Sequence, residues 1–203
     1  MLHLDHILYV VPNLEKGIED FEKLTGVRPA YGGKHTNLGT HNALVSLGKE
    51  VYLELIAPDP NQNIPLKNIV FNIGKIKVPK IITWAVRSAN INELGAKIKI
   101  AEIQDGKRIK EDGTLLKWKT AEITEFADTS GMVPFVIQWD QTPHPASTSP
   151  VGCNLLEFSA EHPSPNQFTK LVSELSFPFK IVESPSFQLK IKINSPKGVI
   201  EIC

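Results

Sequence analysis

Residues 2–11, Leu2-His3-Leu4-Asp5-His6-Ile7-Leu8-Tyr9-Val10-Val11, decide how the rest of the chain is read. They are rich in β-formers, alternate Leu4, His6, Leu8 and Val10 on one expected face, and stop at Pro12. This pattern predicts a strand that carries a histidine among apolar side chains. Asn13 then offers an N-cap, and Leu14, Ile18, Phe21 and Leu24 recur at helical spacing until Gly26. A polar, Gly-rich stretch from Tyr31 to Thr40 follows. Beyond it, the apolar runs 42–47 and 51–57, joined by Gly48-Lys49-Glu50, read as a hairpin. Residues 1–58 are thus a strand, a helix and two or three further strands.

The order then repeats. After a proline-containing connection come an expected strand at 81–86, a helix at 90–100, a strand at 114–123 behind an Asp112-Gly113 turn, and a strand at 134–139. Pro143, Pro145 and Pro150 mark a second connection. A third pass has a strand at 154–160, a helix at 165–175 with Phe168, Leu171, Val172 and Leu175 on one face, and strands near 179–182, 187–193 and 199–202. The reading is an α+β fold in one domain over 1–203, with βαβββ-type units at about 1–58, 81–140 and 153–203. Each unit has the roughly 50 residues that one helix, four strands and their loops require.

Composition removes several function classes. The 203 residues carry 22 Lys+Arg against 22 Asp+Glu, and a neutral chain with scattered lysines lacks the basic face that nucleic-acid phosphates demand. Cys153 and Cys203 make neither a disulfide framework nor a CxxC metal knuckle. No apolar run is long enough for a bilayer, and the opening residues lack a basic segment followed by an apolar one. The expectation is therefore no membrane, no signal peptide and a cytoplasmic home.

Three expected strands set a carboxylate inside an apolar run: Glu54 in Tyr52-Leu53-Glu54-Leu55-Ile56, Glu157 in Leu155-Leu156-Glu157-Phe158, and Glu201 in Val199-Ile200-Glu201-Ile202. Such a carboxylate either faces water or is buried and needs a cation, a donor or a proton. The same choice holds for His6 as ligand or as core side chain. His35 and His41 flank glycines that allow close backbone approach to a ligand. Trp118 and Trp139 suit pocket walls or core, and His144 is held extended between Pro143 and Pro145. Arg87, near a strand end, suits either an anionic substrate or a surface ion pair.

The opening Leu4 to Leu14, the run Tyr52 to Pro58 and the ending Ser195 to Ile202 resemble the vicinal oxygen chelate superfamily, which includes glyoxalase I, extradiol dioxygenases and bleomycin-resistance proteins. Gly32-Gly33-Lys34-His35 with Gly39-Thr40-His41-Asn42, Asp112 to Trp118, and Pro134 to Trp139 with His144-Pro145 resemble more narrowly the glyoxalase-like domain family. The resemblance implies paired βαβββ modules whose curled mixed sheets form a cup-like pocket around a divalent metal, one of Zn, Ni, Mn, Mg or Fe. It implies His6 and Glu54 as ligands from the first unit, completed either by Glu157 and Glu201 or by Thr83 and Gln138, and the sequence leaves that pairing open. On this reading Glu201 or Glu157 is the base in enediolate chemistry of the isomerase or lyase type, on a small carbonyl or vicinal-oxygen compound. His35, His41, Arg87, Trp118, Gln138, Trp139 and His144 would line the pocket. The alternative is a metal-free protein that sequesters a small molecule, as bleomycin-resistance proteins do. Assembly as a homodimer is also common in the superfamily.

Overall fold

The fold grows outward from β1 (His3–Val10), which pairs in parallel with β4 (Tyr52–Pro58) and antiparallel with β5 (Lys80–Arg87). The computed structural model of the chain describes residues 2–35, 38–109, 113–126 and 128–203, so the Asp112 end of the expected turn lies outside the described residues. After β1, Asn13 caps α1 (Leu14–Thr25) by accepting from Lys16 N–H, and Gly26 closes it at φ 80°. Leu14, Ile18 and Phe21 are buried, as their spacing predicts, whereas Leu24 turns to solvent. β2 (Ala30–His35), β3 (Thr40–Ser46) and β4 complete the first unit.

The second unit comprises β5, α2 (Ile91–Gly95), β6 (Gln104–Ile109), β7 (Leu115–Glu122) and β8 (Phe135–Trp139). Asn90 caps α2 by accepting from the N–H groups of Asn92 and Glu93. The helix ends at Gly95, well short of the expected residue 100, because glycine is a poor helix former. The eight strands form one sheet in the order β2-β3-β4-β1-β5-β8-β7-β6. The unit that pairs with the first is therefore the second, across the antiparallel β1/β5 seam. The end strands β2 and β6 approach one another, so the curled sheet is a nearly closed cup.

β9 (Asn154–His162), β10 (Lys180–Glu183), β11 (Gln188–Ser195) and β12 (Gly198–Ile202) form a separate sheet ordered β10-β9-β11-β12, with α3 (Thr169–Glu174) between β9 and β10. This third unit keeps the element order but not the pairing. Its first strand is parallel to the strand that follows the helix, whereas β1 is parallel to the last strand of its unit. The four-stranded sheet covers the outside of the cup. There Trp84 of β5 packs against Phe158 (5.1 Å between ring centres) and Phe179 (5.0 Å), and its indole N–H donates to Met132 C=O at 2.9 Å. No helix among the described residues is long and apolar enough to cross a membrane.

Candidate functional site

Strand alternation assigns the side chains to the two faces of the cup. In β4, Leu53, Leu55 and Ala57 enter the main core, leaving Tyr52, Glu54 and Ile56 for the inside; in β3, Ala43 and Val45 do the same and leave Asn42 and Leu44. β1 breaks the rule. Leu4 and Ile7, an odd number of positions apart, both enter the main core, because the register slips between Leu4 and His6. Leu4 is therefore not on the face of His6 and Leu8 as its spacing predicts. This bulge brings Asp5 beside His6 on the inner face, the kind of re-aiming bulges provide.

Asp5 is the hub of the site. Fully buried, its Oδ1 accepts from His6 Nδ1 at 2.7 Å, and its Oδ2 receives Trp139 Nε1 and His144 Nε2, each at 3.0 Å. Arg87 Nη1 lies 3.8 Å from Oδ2, while its Nη2 binds Glu50 at 2.9 Å. Burial by itself would raise the Asp5 carboxyl, but the hydrogen bonds from His144 and His6, reinforced by their charges, hold it far below the ordinary carboxylate range. An acceptor-only carboxylate fixes His6 Nδ1 as the protonated nitrogen and leaves Nε2, in the neutral ring, with its lone pair facing the cup. The His6 ring stacks on Tyr52 at 4.6 Å and meets the edge of Phe135 at 5.5 Å. Burial, then the charges of Asp5 and Glu54, pushes the Tyr52 phenol well above its usual value, so it stays protonated.

Glu54 faces His6 and His35, with each imidazole Nε2 at 3.6 Å from one of its oxygens. Asn42 Nδ2 donates to Glu54 Oε1 at 2.7 Å and reaches His35 Nε2 at 3.3 Å; Asn42 Oδ1 accepts from Arg108 Nη1 at 2.8 Å. Because a guanidinium cannot accept, Arg108 fixes which way the amide points. His35 Nε2 is then the acceptor of Asn42, and its Nδ1–H donates to Thr40 Oγ1 at 2.8 Å. Burial, the largest influence, pushes the His35 imidazole below its usual value, in keeping with a neutral ring. Arg108 on β6 thus bonds across the gap to β3, and Gly32 makes the room. A Cβ at Gly32 would stand 2.4 Å from Asn42 Oδ1 and 2.8 Å from Arg108 Nη1. Gly32→Ala is expected to cost about 1–3 kcal/mol of stability, measured by urea denaturation, through the overpacking it forces.

Of the residues singled out from sequence, the fold brings together His6, Glu54, His35, Trp139, His144 and, through Asp5, Arg87. Trp118 lies one strand out, 5.5 Å from Trp139. His41 falls on the face opposite Asn42, 6.2 Å from Tyr31. Gln138 points outward, where its Oε1 accepts from Ile91 N–H at 2.8 Å and helps start α2. Glu157 and Glu201 are exposed on the four-stranded sheet, Glu157 with Lys192 at 3.8 Å, and are not brought to His6 and Glu54. Asp5, Asn42 and Arg108 were not singled out.

A divalent metal would need ligands beyond His6 and Glu54. The second unit offers Gln138, whose oxygen is spent outside the cup, and Thr83, a poor ligand; the His35 Nε2 lone pair is taken by Asn42. Among the described residues no group of three or more His, Cys, Asp or Glu side chains is placed to hold a metal ion. The donors present do not match a resident metal. Beside the site, beyond the Phe135 ring, a cavity of about 820 Å³ is lined by Phe71, Lys80, Thr83, Ser130 and Phe135 among others.

A family model described as a glyoxalase-like domain matches residues 4–176. No curated protein matches the sequence. Among solved structures, a hypothetical protein from Staphylococcus aureus is similar at 15% identity and a TM-score of 0.71, over 93% of this chain and 88% of that one. Methylmalonyl-CoA epimerase from Mycobacterium tuberculosis is similar at 18% identity and a TM-score of 0.47, over 71% of this chain and 91% of that one. With a family match over residues 4–176, most of its length, the chain belongs to the glyoxalase-like domain family.

Proposed function

We propose that the chain catalyses proton transfer at the carbon beside the carbonyl group of a small, oxygen-rich compound, an isomerase-type reaction. The observation that carries this reading is the buried row Asp5–His6–Glu54, in which a carboxylate orients the imidazole and a second carboxylate lies 3.6 Å from its other nitrogen. His6 Nε2 takes the proton, and the electron pair of the broken C–H bond passes to the carbonyl oxygen as an enolate. Glu54 is the second proton carrier. Returning a proton to the neighbouring carbon or oxygen completes the rearrangement, and burial of His6 and Glu54 keeps bulk water away from the enolate. Glu157 and Glu201 have no part in this mechanism.

The test is solvent exchange. Dihydroxyacetone, methylglyoxal and pyruvate are incubated with the protein in D₂O, and loss of the proton signal beside each carbonyl is followed by NMR. Protein-dependent exchange of at least one compound is expected, at a rate unchanged after dialysis against EDTA. No exchange with any of them overturns the reading, and binding without exchange supports sequestration instead. A rate that returns only with added metal would move the site to the metalloenzyme chemistry that the family resemblance implies.

A further inference from the structure

Arg108 is buried to 7% exposure, and its Nε has no hydrogen-bond partner; it is the one such buried side-chain atom among the described residues. Leaving a donor of a charged group dry and unpaired costs free energy, so its retention calls for an explanation. The rest of the side chain is closely arranged. Nη1 is committed to Asn42, which in turn holds Glu54, and Gly32 supplies the space that any larger residue would fill. Binding Asn42 through Nη1 leaves the opposite edge of the guanidinium, where Nε–H and Nη2–H run parallel at the spacing of two carboxylate oxygens.

We infer that this edge receives the carboxylate of the substrate, which makes the compound handled in the cup a small oxo acid. The inference rests on the proton-transfer reading and narrows it. Arg108 and Asn42 form one linked unit with Glu54, so a carboxylate held on Arg108 joins the run of contacts that passes through Asn42 and Glu54 to His6. The cation also offsets the negative charge that gathers on the carbonyl oxygen as the proton leaves. A lysine in the same place would supply charge but not the flat two-pronged match.

Pyruvate and pyruvamide differ in little but the carboxylate charge and separate these ideas. Isothermal titration of the wild-type chain is expected to show pyruvate binding at least about tenfold tighter than pyruvamide, the usual worth of a hydrogen bond to a charged group. Arg108→Gln should erase that preference, and Arg108→Lys should restore only part of it. Equal wild-type affinities for the two probes, an absence of pyruvate binding, or full recovery in Arg108→Lys overturns the inference. The wild-type comparison stands even if a variant fails to fold. A preference for pyruvate without proton exchange would leave the carboxylate site standing and sink the proton-transfer reading. Equal exchange of pyruvate and pyruvamide would do the reverse.

Discussion

His6→Ala should lower the rate of solvent exchange beside the carbonyl by about 10²–10⁴-fold, the usual contribution of a positioned general base. The size of the loss follows from how little else could take its place. His144 is tied to Asp5 through Nε2, and the Nε2 lone pair of His35 is occupied by Asn42. Glu54→Gln should behave differently. The new amide oxygen can still accept from Asn42, so the site keeps its shape and the first proton is still removed, but conversion to the rearranged product falls further than exchange does. Following both quantities in one NMR experiment distinguishes a base from a second carrier. Equal losses of exchange in the two variants would show that His6 is not the sole base.

Asp5→Ala should destabilise the fold by about 3–5 kcal/mol in urea denaturation, the range for removing one partner of a buried ionic cluster. The change strands the donors of His6, Trp139 and His144 around a void and leaves Arg87 facing it. Asp5→Asn keeps the volume but removes the charge, and provides the cleaner pH test. Because the folded carboxyl lies below its unfolded value of about 3.9, its contribution is fully present above that pH and is lost as pH falls toward the folded value. The gap between wild type and Asp5→Asn, wide at neutral pH, should therefore narrow below about pH 4. A gap independent of pH would mean that Asp5 acts by shape alone.

How much of this was legible in the sequence depended on whether apolar alternation was intact. β1 declares itself through it, α1 through helical spacing and β3 and β4 as short apolar runs, but whether His6 and Glu54 face inward is left open by the residues and is only implied by the resemblance. β6 does not declare itself, since Gln104-Asp105-Gly106-Lys107-Arg108-Ile109 has one large apolar residue and reads as loop. Arg108 was lost with it. Asp5 was hidden for a different reason: period-two counting puts it in the face opposite His6, and a bulge leaves no mark in composition. The pairing of the units was also beyond the sequence, because element order repeats three times while strand pairing does so only between the first two. Glu157 and Glu201 show the converse, apolar neighbours along a strand whose carboxylates nonetheless face water.

The bulge has a wider meaning for how this cup can change. A regular β1 would turn Asp5 toward Trp84 and the phenylalanines behind it, where a carboxylate would find no donors and would have to take up a proton to stay. The charge that orients His6 thus exists only while one strand holds one residue more than its neighbour can match. A one-residue insertion or deletion within β1 would here undo the proposed proton-transfer arrangement without touching a single reactive side chain.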